Sequence, residues 1–207
     1  MSEHAAGKPE RIALLGGTFD PPHNGHLALA RAVCGALALD TLLLVPAGNP
    51  HFKLDQQVTP VKERVEMTQL LAAEDPRLQV STIEAQREGV TYSADTLEEL
   101  KRRRPDASLL FVIGGDCVEH VWRWRRARDI AKLCTLVAVA RPGYDMAAAQ
   151  EALAASGMGF SLQVVRADTP NISSTQVRKK AAAGQSLQGL VPTNVERYIR
   201  KHGTYRC

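Results

Sequence analysis

The chain has few cysteines, and they do not form a metal-binding or disulfide pattern. Its 207 residues include four cysteines, Cys34, Cys117, Cys134 and Cys207, without a Cys-x-x-C pair. A structural zinc site is therefore not expected, and the wide spacing does not suggest a disulfide framework. Three of the cysteines stand in apolar or helical contexts, where we expect them to fill space in the core.

Long apolar runs are also missing. No run approaches the roughly 20 apolar residues that a helix needs to cross a bilayer. Residues 1–10 are polar and lack the apolar centre of a secretory signal. We therefore expect a soluble, cytoplasmic protein that does not bind membranes. From the length of the chain we predict a single domain at residues 11–207. Residues 1–10 are predicted to form a disordered or extended tail before it.

Two common phosphate-binding sequences are absent as well. No Gly-Lys-Ser/Thr of a Walker loop follows the Gly-Gly pair at residues 16–17, and the dinucleotide pattern G-x-G-x-x-G does not occur. The formal net charge of +4 is modest. Such a charge suits anionic small molecules and does not require nucleic acid as a partner.

The most informative stretch is a strand-to-helix turn near the N-terminus. Apolar residues 12–15 predict a short buried strand, and helical spacing from Leu27 onward predicts a helix that begins near Gly25. Backbone N–H groups at such a turn bind phosphate. The candidate residues are Gly16, Gly17, Thr18 and Phe19, with His23 and His26 as directed donors. Without a ligand, the glycines would serve only the turn and the histidines would be ordinary core or surface residues.

Strands and helices alternate along the remaining chain. Apolar runs predict strands at 41–45, 78–83, 109–113, 136–140 and 162–165, and helices at 61–74, 94–104, 146–155, 172–183 and 194–202. This alternation predicts an α/β fold with a doubly wound, mostly parallel, open sheet and a small C-terminal helical part.

Several helix details are predicted from single residues. Ser93 is the expected N-cap of the helix at 94–104, and Thr193 with Glu196 is the expected capping box of the last helix. In the helix at 61–74, Val65, Leu70 and Leu71 are predicted to face inward. The charged residues predicted to face solvent are Lys62, Glu63, Arg64 and Glu66. The basic run at 101–104 is attributed to the helix dipole and solubility, with nucleic-acid contact as the alternative.

Other candidate ligand residues follow the later strands. Ile172, Ser173 and Ser174 open a helix with N–H and hydroxyl donors, and Arg178 lies one turn further on. Simple helix capping by a serine is the alternative. Gly114 and Asp116 follow the strand at 109–113, where ribose or metal-bound phosphate would bind. Trp122 and Trp124 are either core residues or a platform for a ligand ring. The loop at 46–59, with His51 and Lys53, either binds a ligand or is a flexible surface loop.

The chemistry suggested by these residues needs no nucleophile–base pair, and none is visible. A phosphomonoester has a second pKa near ~6, so at neutral pH it is already a dianionic nucleophile. An enzyme that joins it to the α-phosphate of ATP needs positioning and charge stabilisation. We expect Mg²⁺ as the cofactor, held mainly by the ATP phosphates and not by a metal site of the protein.

The ordered motifs resemble one family. The His-x-Gly-His turn closely resembles the nucleotidylyltransferase signature. The segments at 46–53, 91–97, 111–116, 141–143 and 172–178, Trp124, and the ending at 190–205 look like the bacterial nicotinate-mononucleotide adenylyltransferases. The resemblance extends from Ile12 to Tyr205. It implies a Rossmann-like nucleotidylyltransferase fold and synthesis of deamido-NAD and pyrophosphate from ATP and nicotinate mononucleotide.

The resemblance also implies roles for individual residues. His23 and His26 would contact the ATP phosphates and stabilise the transition state, while Ser173, Ser174 and Arg178 would hold the triphosphate. Gly114 and Asp116 would lie near the ribose or the metal-bound phosphates. On the acceptor side, Lys53 would hold the mononucleotide phosphate, and Tyr92, Ser93 and Trp124 would receive the nicotinate. A homo-oligomer is left open.

Departures from the family pattern leave alternatives. His51-Phe52 precedes Lys53, Ser93 stands where threonine is usual, and Trp122 occupies a position often filled by proline, so either tryptophan could stack on the ring. Another nucleotidylyltransferase, acting on phosphopantetheine or nicotinamide mononucleotide, is the first alternative. The second is a catalytically silent nucleotide sensor or a nucleic-acid-binding domain, suggested by the basic residues at 123–128 and 179–180.

Overall fold

The computed structural model describes residues 10–49, 58–140 and 144–206. These contain one six-stranded sheet in the order β3-β2-β1-β4-β5-β6, and every neighbouring pair is parallel. The strands are β1 (Arg11–Gly17), β2 (Leu42–Pro46), β3 (Leu78–Val80), β4 (Ser108–Gly114), β5 (Cys134–Ala140) and β6 (Ser161–Arg166). The predicted doubly wound, parallel, open sheet is confirmed.

Helices connect the strands and follow the last one. They are α1 (Asn24–Ala36), α2 (Val61–Ala72), α3 (Ser93–Arg103), α4 (Gly115–Val118), α5 (Ala127–Leu133), α6 (Met146–Ala155), α7 (Ser174–Ala182) and α8 (Thr193–His202), with a short 3₁₀ helix at Val121–Arg123. The two helices after β6 are the predicted C-terminal helical part. No helix of the described segments is both long and apolar enough to cross a membrane.

Successive residues of the strands serve the two faces of the sheet. On β1, Ala13 and Leu15 pack into a core with α1, α2, α7 and α8, whereas Ile12 and Leu14 pack into a second core with α3, α4, α5 and α6. Right-handed crossovers explain this division, because the chain runs outward from β1 in one direction and from β4 in the other. The adjacent ends of β1 and β4 therefore form a switch point, where such sheets bind ligands.

Two predicted N-caps are wrong, and α7 begins at Ser174 and not at residue 172. The N-cap of α3 is Tyr92 and not Ser93, because the extended Tyr92 backbone closes the first turn, and its carbonyl accepts from the N–H groups of Asp95 and Thr96. The N-cap of α8 is Pro192 and not Thr193. Glu196 makes no capping box, since its Oε1 accepts from the Leu187 N–H at 3.1 Å and pairs with Arg200.

The predicted solvent face of α2 is wrong at one residue. Arg64 is only 2% exposed, and Met67, Thr68 and Leu71 share its buried side, while Val65 and Leu70 are half-buried. Lysine or arginine is almost never fully buried without partners. Arg64 is buried because backbone carbonyl oxygens accept its hydrogen bonds, a contact that the sequence pattern does not contain.

Candidate active site

The backbone is open at the end of β1, where the strand leads into the turn before α1. Gly16 is exposed, and a Cβ placed on it would meet Phe111 only at 3.9 Å. Gly17 leaves less room for a side chain than Gly16, since a Cβ there would lie 3.2 Å from the Phe19 ring. Phe19 itself is buried, with φ at 51°, and anchors the turn in the core. A ligand can therefore approach the backbone at Gly16, while the buried Phe19 side chain fixes the turn to the core.

His23 and His26 start helix α1 together. Their rings are stacked with centroids 3.7 Å apart, and His26 Nδ1 accepts from the backbone N–H of His23 at 3.2 Å. His23 is the N-cap and His26 the third residue of the helix, so the two imidazoles form the reciprocal arrangement of a capping box. The His-x-Gly-His spacing thus places both rings at the positive end of the helix.

The His26 imidazole is held neutral. Burial, and then the neighbouring His23, lower the pKa of His26 well below its usual value. Because Nδ1 accepts a hydrogen bond, the ring proton is assigned to Nε2, which becomes a donor. The pair therefore offers a directed N–H group at the start of the helix.

Gly25 makes room for this pair. A Cβ at Gly25 would lie 3.0 Å from His23 Nδ1 and 3.3 Å from the carbonyl oxygen of Pro170. Both distances are tighter than ordinary contacts, so a side chain here would displace the His23 ring or the segment that leads to α7. The glycine between the histidines is thus required by packing.

The start of α7 docks on the same turn. Ser174 Oγ donates to the carbonyl oxygen of Pro21 at 2.9 Å, and Arg178 Nη1 donates to that of Asp20 at 2.7 Å. Ser173 caps the helix by accepting from the Gln176 N–H at 3.2 Å. The two helix starts that the sequence predicts as separate anion sites, some 150 residues apart in the chain, therefore meet in space.

Gly114 and Asp116 lie at the end of β4, beside β1. Gly114 lines the cavity described below, and Asp116 is exposed in the first turn of α4. A Cβ on Gly114 would collide with Asp116 Oδ1, so the glycine lets the carboxylate fold back toward the strand end. Both residues thus lie at the same edge of the sheet as Gly16.

Two adjoining cavities extend from the switch point toward α3 and α5. The first, of about 310 Å³, includes Gly16, Gly17, Ala47, Phe111 and Gly114 in its lining. The second, of about 510 Å³, is lined by Thr91, Tyr92, Ser93, Arg123, Trp124, Arg125 and Ile130. Thr91, Ser93 and Trp124 border both. Tyr92, Ser93 and Trp124, predicted from sequence to share a site, are therefore brought together, next to Gly16, Gly17 and Gly114.

The two tryptophans differ in their surroundings. Trp124 borders both cavities and packs edge-on against Phe111, with ring centroids 6.2 Å apart. Trp122 donates from Nε1 to the carbonyl oxygen of Glu119, and the Arg123 guanidinium covers its ring at 4.5 Å. Of the two indoles, Trp124 is the one presented to the cavities.

Two arginines beside Trp124 differ in their ion pairing. The Arg126 guanidinium pairs with Asp95, Glu98 and Asp129. The Arg125 guanidinium instead lies 4.5 Å from the centre of the Tyr92 ring and has no acidic partner within the described ranges 10–49, 58–140 and 144–206. Arg125 therefore brings an uncompensated positive charge to the second cavity.

The structure adds two cavity residues that the sequence did not single out. The Thr91 hydroxyl is buried and has no hydrogen-bond partner among the described residues. Glu84 accepts from the Thr96 hydroxyl at 2.7 Å, and burial raises the pKa of its carboxyl group. Thr91 stands directly before Tyr92-Ser93, which was the available signal, whereas nothing in the pattern around Glu84 indicated a buried carboxyl.

Three residues predicted from the sequence are not placed in the site by the geometry described above. Lys53, predicted to hold a mononucleotide phosphate, and its neighbour His51 lie outside the described residues. Ile172 is half-buried and packs against the core below α7. Within the part of the chain that the structure describes, no three His, Cys, Asp or Glu side chains are grouped to hold a metal ion.

The fold and the paired helix starts define a class of protein. A family model described as cytidylyltransferase-like matches residues 14–180. The match includes the β1–α1 turn with both histidines and the start of α7 with Arg178. The chain belongs to this cytidylyltransferase-like family, and more narrowly it belongs with the nicotinate-nucleotide adenylyltransferases, as its relatives indicate.

The relatives match over nearly their full length. A Thermus thermophilus protein named "Probable nicotinate-nucleotide adenylyltransferase" is 42% identical over 198 residues, which cover 95% of this chain and 100% of the relative. A Corynebacterium kroppenstedtii protein of the same name is 40% identical over 195 residues, which cover 94% of this chain and 90% of the relative. The resemblance found in the sequence motifs is confirmed.

Solved structures share the fold. The Plasmodium falciparum nicotinic acid mononucleotide adenylyltransferase complexed with NaAD matches with a TM-score of 0.77 and covers 95% of this chain and 97% of that chain, at 15% identity. The same protein complexed with APC matches with a TM-score of 0.76. This likeness confirms the Rossmann-like nucleotidylyltransferase architecture.

Proposed function

We propose that this chain transfers the adenylyl group of ATP to nicotinate mononucleotide, forming nicotinate adenine dinucleotide (deamido-NAD) and pyrophosphate. The observation that carries the proposal is the meeting of two helix starts, one with His23 and His26 and the other with Arg178. Both present donors and positive dipole ends to one place at the switch point. The names of the relatives supply the particular reaction.

The proposed reaction is a direct displacement. An oxygen of the acceptor phosphate attacks the α-phosphorus of ATP, and the bond from that phosphorus to the bridging oxygen breaks, so pyrophosphate leaves. The acceptor is already an anion near neutral pH, so no protein base is required. His23 and His26 would donate to the phosphate oxygens, and Arg178 would bind the leaving pyrophosphate. The backbone at Gly16–Phe19 and at Ser173–Ser174 would supply further N–H donors.

The residues present fit a metal that arrives with ATP. The phosphate site consists mainly of N–H donors and imidazoles, with Asp116 as an exposed carboxylate at the same edge. Mg²⁺ commonly binds through one or two carboxylates together with substrate phosphates. When bound, it would neutralise charge on the triphosphate, while Gly114 leaves room for the ribose or the metal-bound phosphates.

The acceptor would occupy the second cavity. Trp124 would stack on the pyridine ring, and the Ser93 hydroxyl with the Tyr92–Ser93 backbone would bind the carboxylate. Arg125 supports a nicotinate substrate in particular, because its unpaired guanidinium favours a carboxylate over a neutral carboxamide. Lys53 is proposed to hold the mononucleotide phosphate. We propose a cytoplasmic location, since the reaction consumes ATP.

One experiment tests the reaction and its acceptor together. Pyrophosphate release is measured with ATP and Mg²⁺ and, side by side, nicotinate mononucleotide, nicotinamide mononucleotide and phosphopantetheine. Strong preference for the nicotinate compound is expected. Equal rates with both pyridine nucleotides would contradict the proposal that the second cavity selects a carboxylate. Pyrophosphate release with phosphopantetheine alone would show that phosphopantetheine, and not nicotinate mononucleotide, is the acceptor. Tight, strongly salt-dependent RNA binding without any turnover would favour the nucleic-acid alternative.

A further inference from the structure

Arg64 on α2 is a buried cation held by backbone groups. Its Nε donates to the carbonyl oxygen of Thr59 at 2.8 Å, and its Nη1 donates to those of Thr18 at 2.8 Å and Ala47 at 2.7 Å. Nη2 donates to that of Gly48 at 3.0 Å. Placing a charge in the interior costs several kcal/mol unless its hydrogen bonds are made. The guanidinium makes them with carbonyl oxygens, and no carboxylate of the described residues forms an ion pair with it.

The four carbonyl oxygens belong to three segments that border the proposed active site. Thr18 is in the β1–α1 turn, two residues after Gly16. Ala47 follows β2 and lines the first cavity, and Thr59 stands just before α2. One rigid group therefore joins the turn assigned to the ATP phosphates to Ala47 and to Gly48, which packs against Thr91 at the border of both cavities.

We propose that Arg64 is a positioning residue that sets the distance between the two substrates. The proposal rests on the proposed function, since that function assigns ATP to the turn and the acceptor to the second cavity. A planar guanidinium with five N–H donors can bond to carbonyls in several directions at once. A lysine has three donors on one nitrogen and cannot reach all three segments. Arg64 is buried and lines neither cavity, so it acts through the backbone that it holds.

The test compares Arg64→Lys and Arg64→Met in the full chain by kcat and by the KM for each substrate. We expect Arg64→Met to lower kcat about 100-fold, because a shift of about 1 Å in a reacting group has that effect. Both KM values should rise, since both substrate sites move. Arg64→Lys should recover part of kcat. Partial unfolding would lower the apparent kcat alone, so the joint rise in KM separates positioning from a loss of folded enzyme.

Thr68→Val is the matched control. Thr68 is buried one turn further along α2, and its hydroxyl donates to the Arg64 carbonyl oxygen at 2.6 Å. The valine removes a buried hydrogen bond of the same helix and leaves the guanidinium contacts in place. We expect a lower melting temperature with kcat and both KM values close to those of the wild type.

Three results would overturn the proposal. The first is a folded Arg64→Met enzyme with wild-type kinetics, and the second is equal kinetics for the lysine and methionine variants. The third is failure of both variants to fold, measured by circular dichroism, which would make Arg64 a purely structural residue. A wild-type chain that does not use nicotinate mononucleotide would instead contradict the proposed function. The variants would then be compared on whichever acceptor the wild type uses.

Discussion

Among single residues, His26 combines a structural and a proposed catalytic task. Its Nδ1 closes the first turn of α1, which leaves Nε2 to donate toward a phosphate. We expect His26→Ala to lower kcat about 100- to 1000-fold, as loss of one transition-state donor does in other enzymes. The measurement is pyrophosphate release at saturating substrates, with circular dichroism as the check on folding.

The control for this variant is His202→Ala. His202 stacks on Tyr198 at the end of α8, with ring centroids 4.3 Å apart, and has no proposed role in phosphate binding. Its substitution should leave kcat unchanged. Near-normal turnover by His26→Ala would remove His26 from the proposed mechanism.

Arg125 supports a prediction about substrate choice. Its guanidinium borders the second cavity without an acidic partner in the described segments, so its removal should cost affinity mainly for the anionic ring. We expect Arg125→Gln to lower kcat/KM for nicotinate mononucleotide about 10-fold, the loss expected for one charge-assisted hydrogen bond. Turnover of nicotinamide mononucleotide should change little.

Arg128→Gln serves as the comparison, since Arg128 is exposed in the same basic run but does not border either cavity. It should keep the wild-type ratio of the two kcat/KM values. An unchanged ratio in Arg125→Gln would assign the selectivity to Ser93 and the backbone around it.

Sequence reasoning succeeded for residues whose partners are close along the chain. His23 and His26 are three positions apart, so helical geometry alone brings the rings together. Arg64 and Glu84 were missed, because their partners lie in other segments and charged residues on a helix or turn are usually solvated. Only the fold shows that Thr18, Ala47 and Thr59 surround one guanidinium.

At the level of elements, the contact between the end of β2 and the turn before α3 permits no side chain at residue 48. A Cβ on Gly48 would collide with the carbonyl oxygen of Glu84 and lie 3.2 Å from Thr91 Oγ1. Because the first obstacle is backbone, it cannot rotate away. We expect Gly48→Ala to destabilise the protein by about 1–3 kcal/mol, a typical cost of overpacking. Denaturant unfolding would measure it.

Gly35→Ala is the opposite case within α1. Nothing lies within 4 Å of a Cβ placed there, and alanine favours a helix more than glycine. This variant should be as stable as the wild type or more so, by up to about 1 kcal/mol. Equal stability of both variants would show that the strand end can shift to accommodate a methyl group at residue 48.

The elements themselves were largely predictable, and their ends were not. Apolar periodicity located all six strands, although β3 ends at Val80 and not at residue 83. The four-residue helix α4 and helix α5 were missed, and the short apolar pattern of α5 directly follows the Trp-Arg run at 122–126. Both mistaken caps arose where a backbone carbonyl, and not the expected side chain, closes the first turn.

Considering the whole molecule, the C-terminal part is tied to the active-site turn by contacts between distant residues. The Tyr205 hydroxyl donates to Asp20 Oδ1 at 2.7 Å, and the Tyr198 hydroxyl donates to Glu66 at 2.6 Å. Asn194 donates to the Leu70 carbonyl oxygen at 2.7 Å. The sequence predicts the helix but not where it docks, since no local pattern specifies a partner more than a hundred residues away. The fold class was nevertheless predictable, because the alternation of strands and helices allows few topologies.

The stability of the whole molecule should depend on pH through His26. The folded state lowers the pKa of this imidazole well below its ordinary value of 6.5, whereas the unfolded chain regains that value. Below about pH 6.5 the unfolded state therefore binds a proton at His26 that the folded state does not bind, and the free energy of unfolding falls as the pH falls. From about pH 7 to about pH 5.5 we expect the free energy of unfolding to drop by about 1 kcal/mol from this group.

His26→Gln isolates the effect, because glutamine at the third helical position can still accept from the His23 N–H. Glu84, whose raised pKa acts in the opposite sense, is present in both proteins and cancels in the comparison. Urea unfolding at a series of pH values should show that the wild type loses stability toward acid more steeply than the variant. Parallel curves would mean that the folded protein admits the proton at His26, and the imidazole would then be a cationic donor to phosphate and not a neutral one.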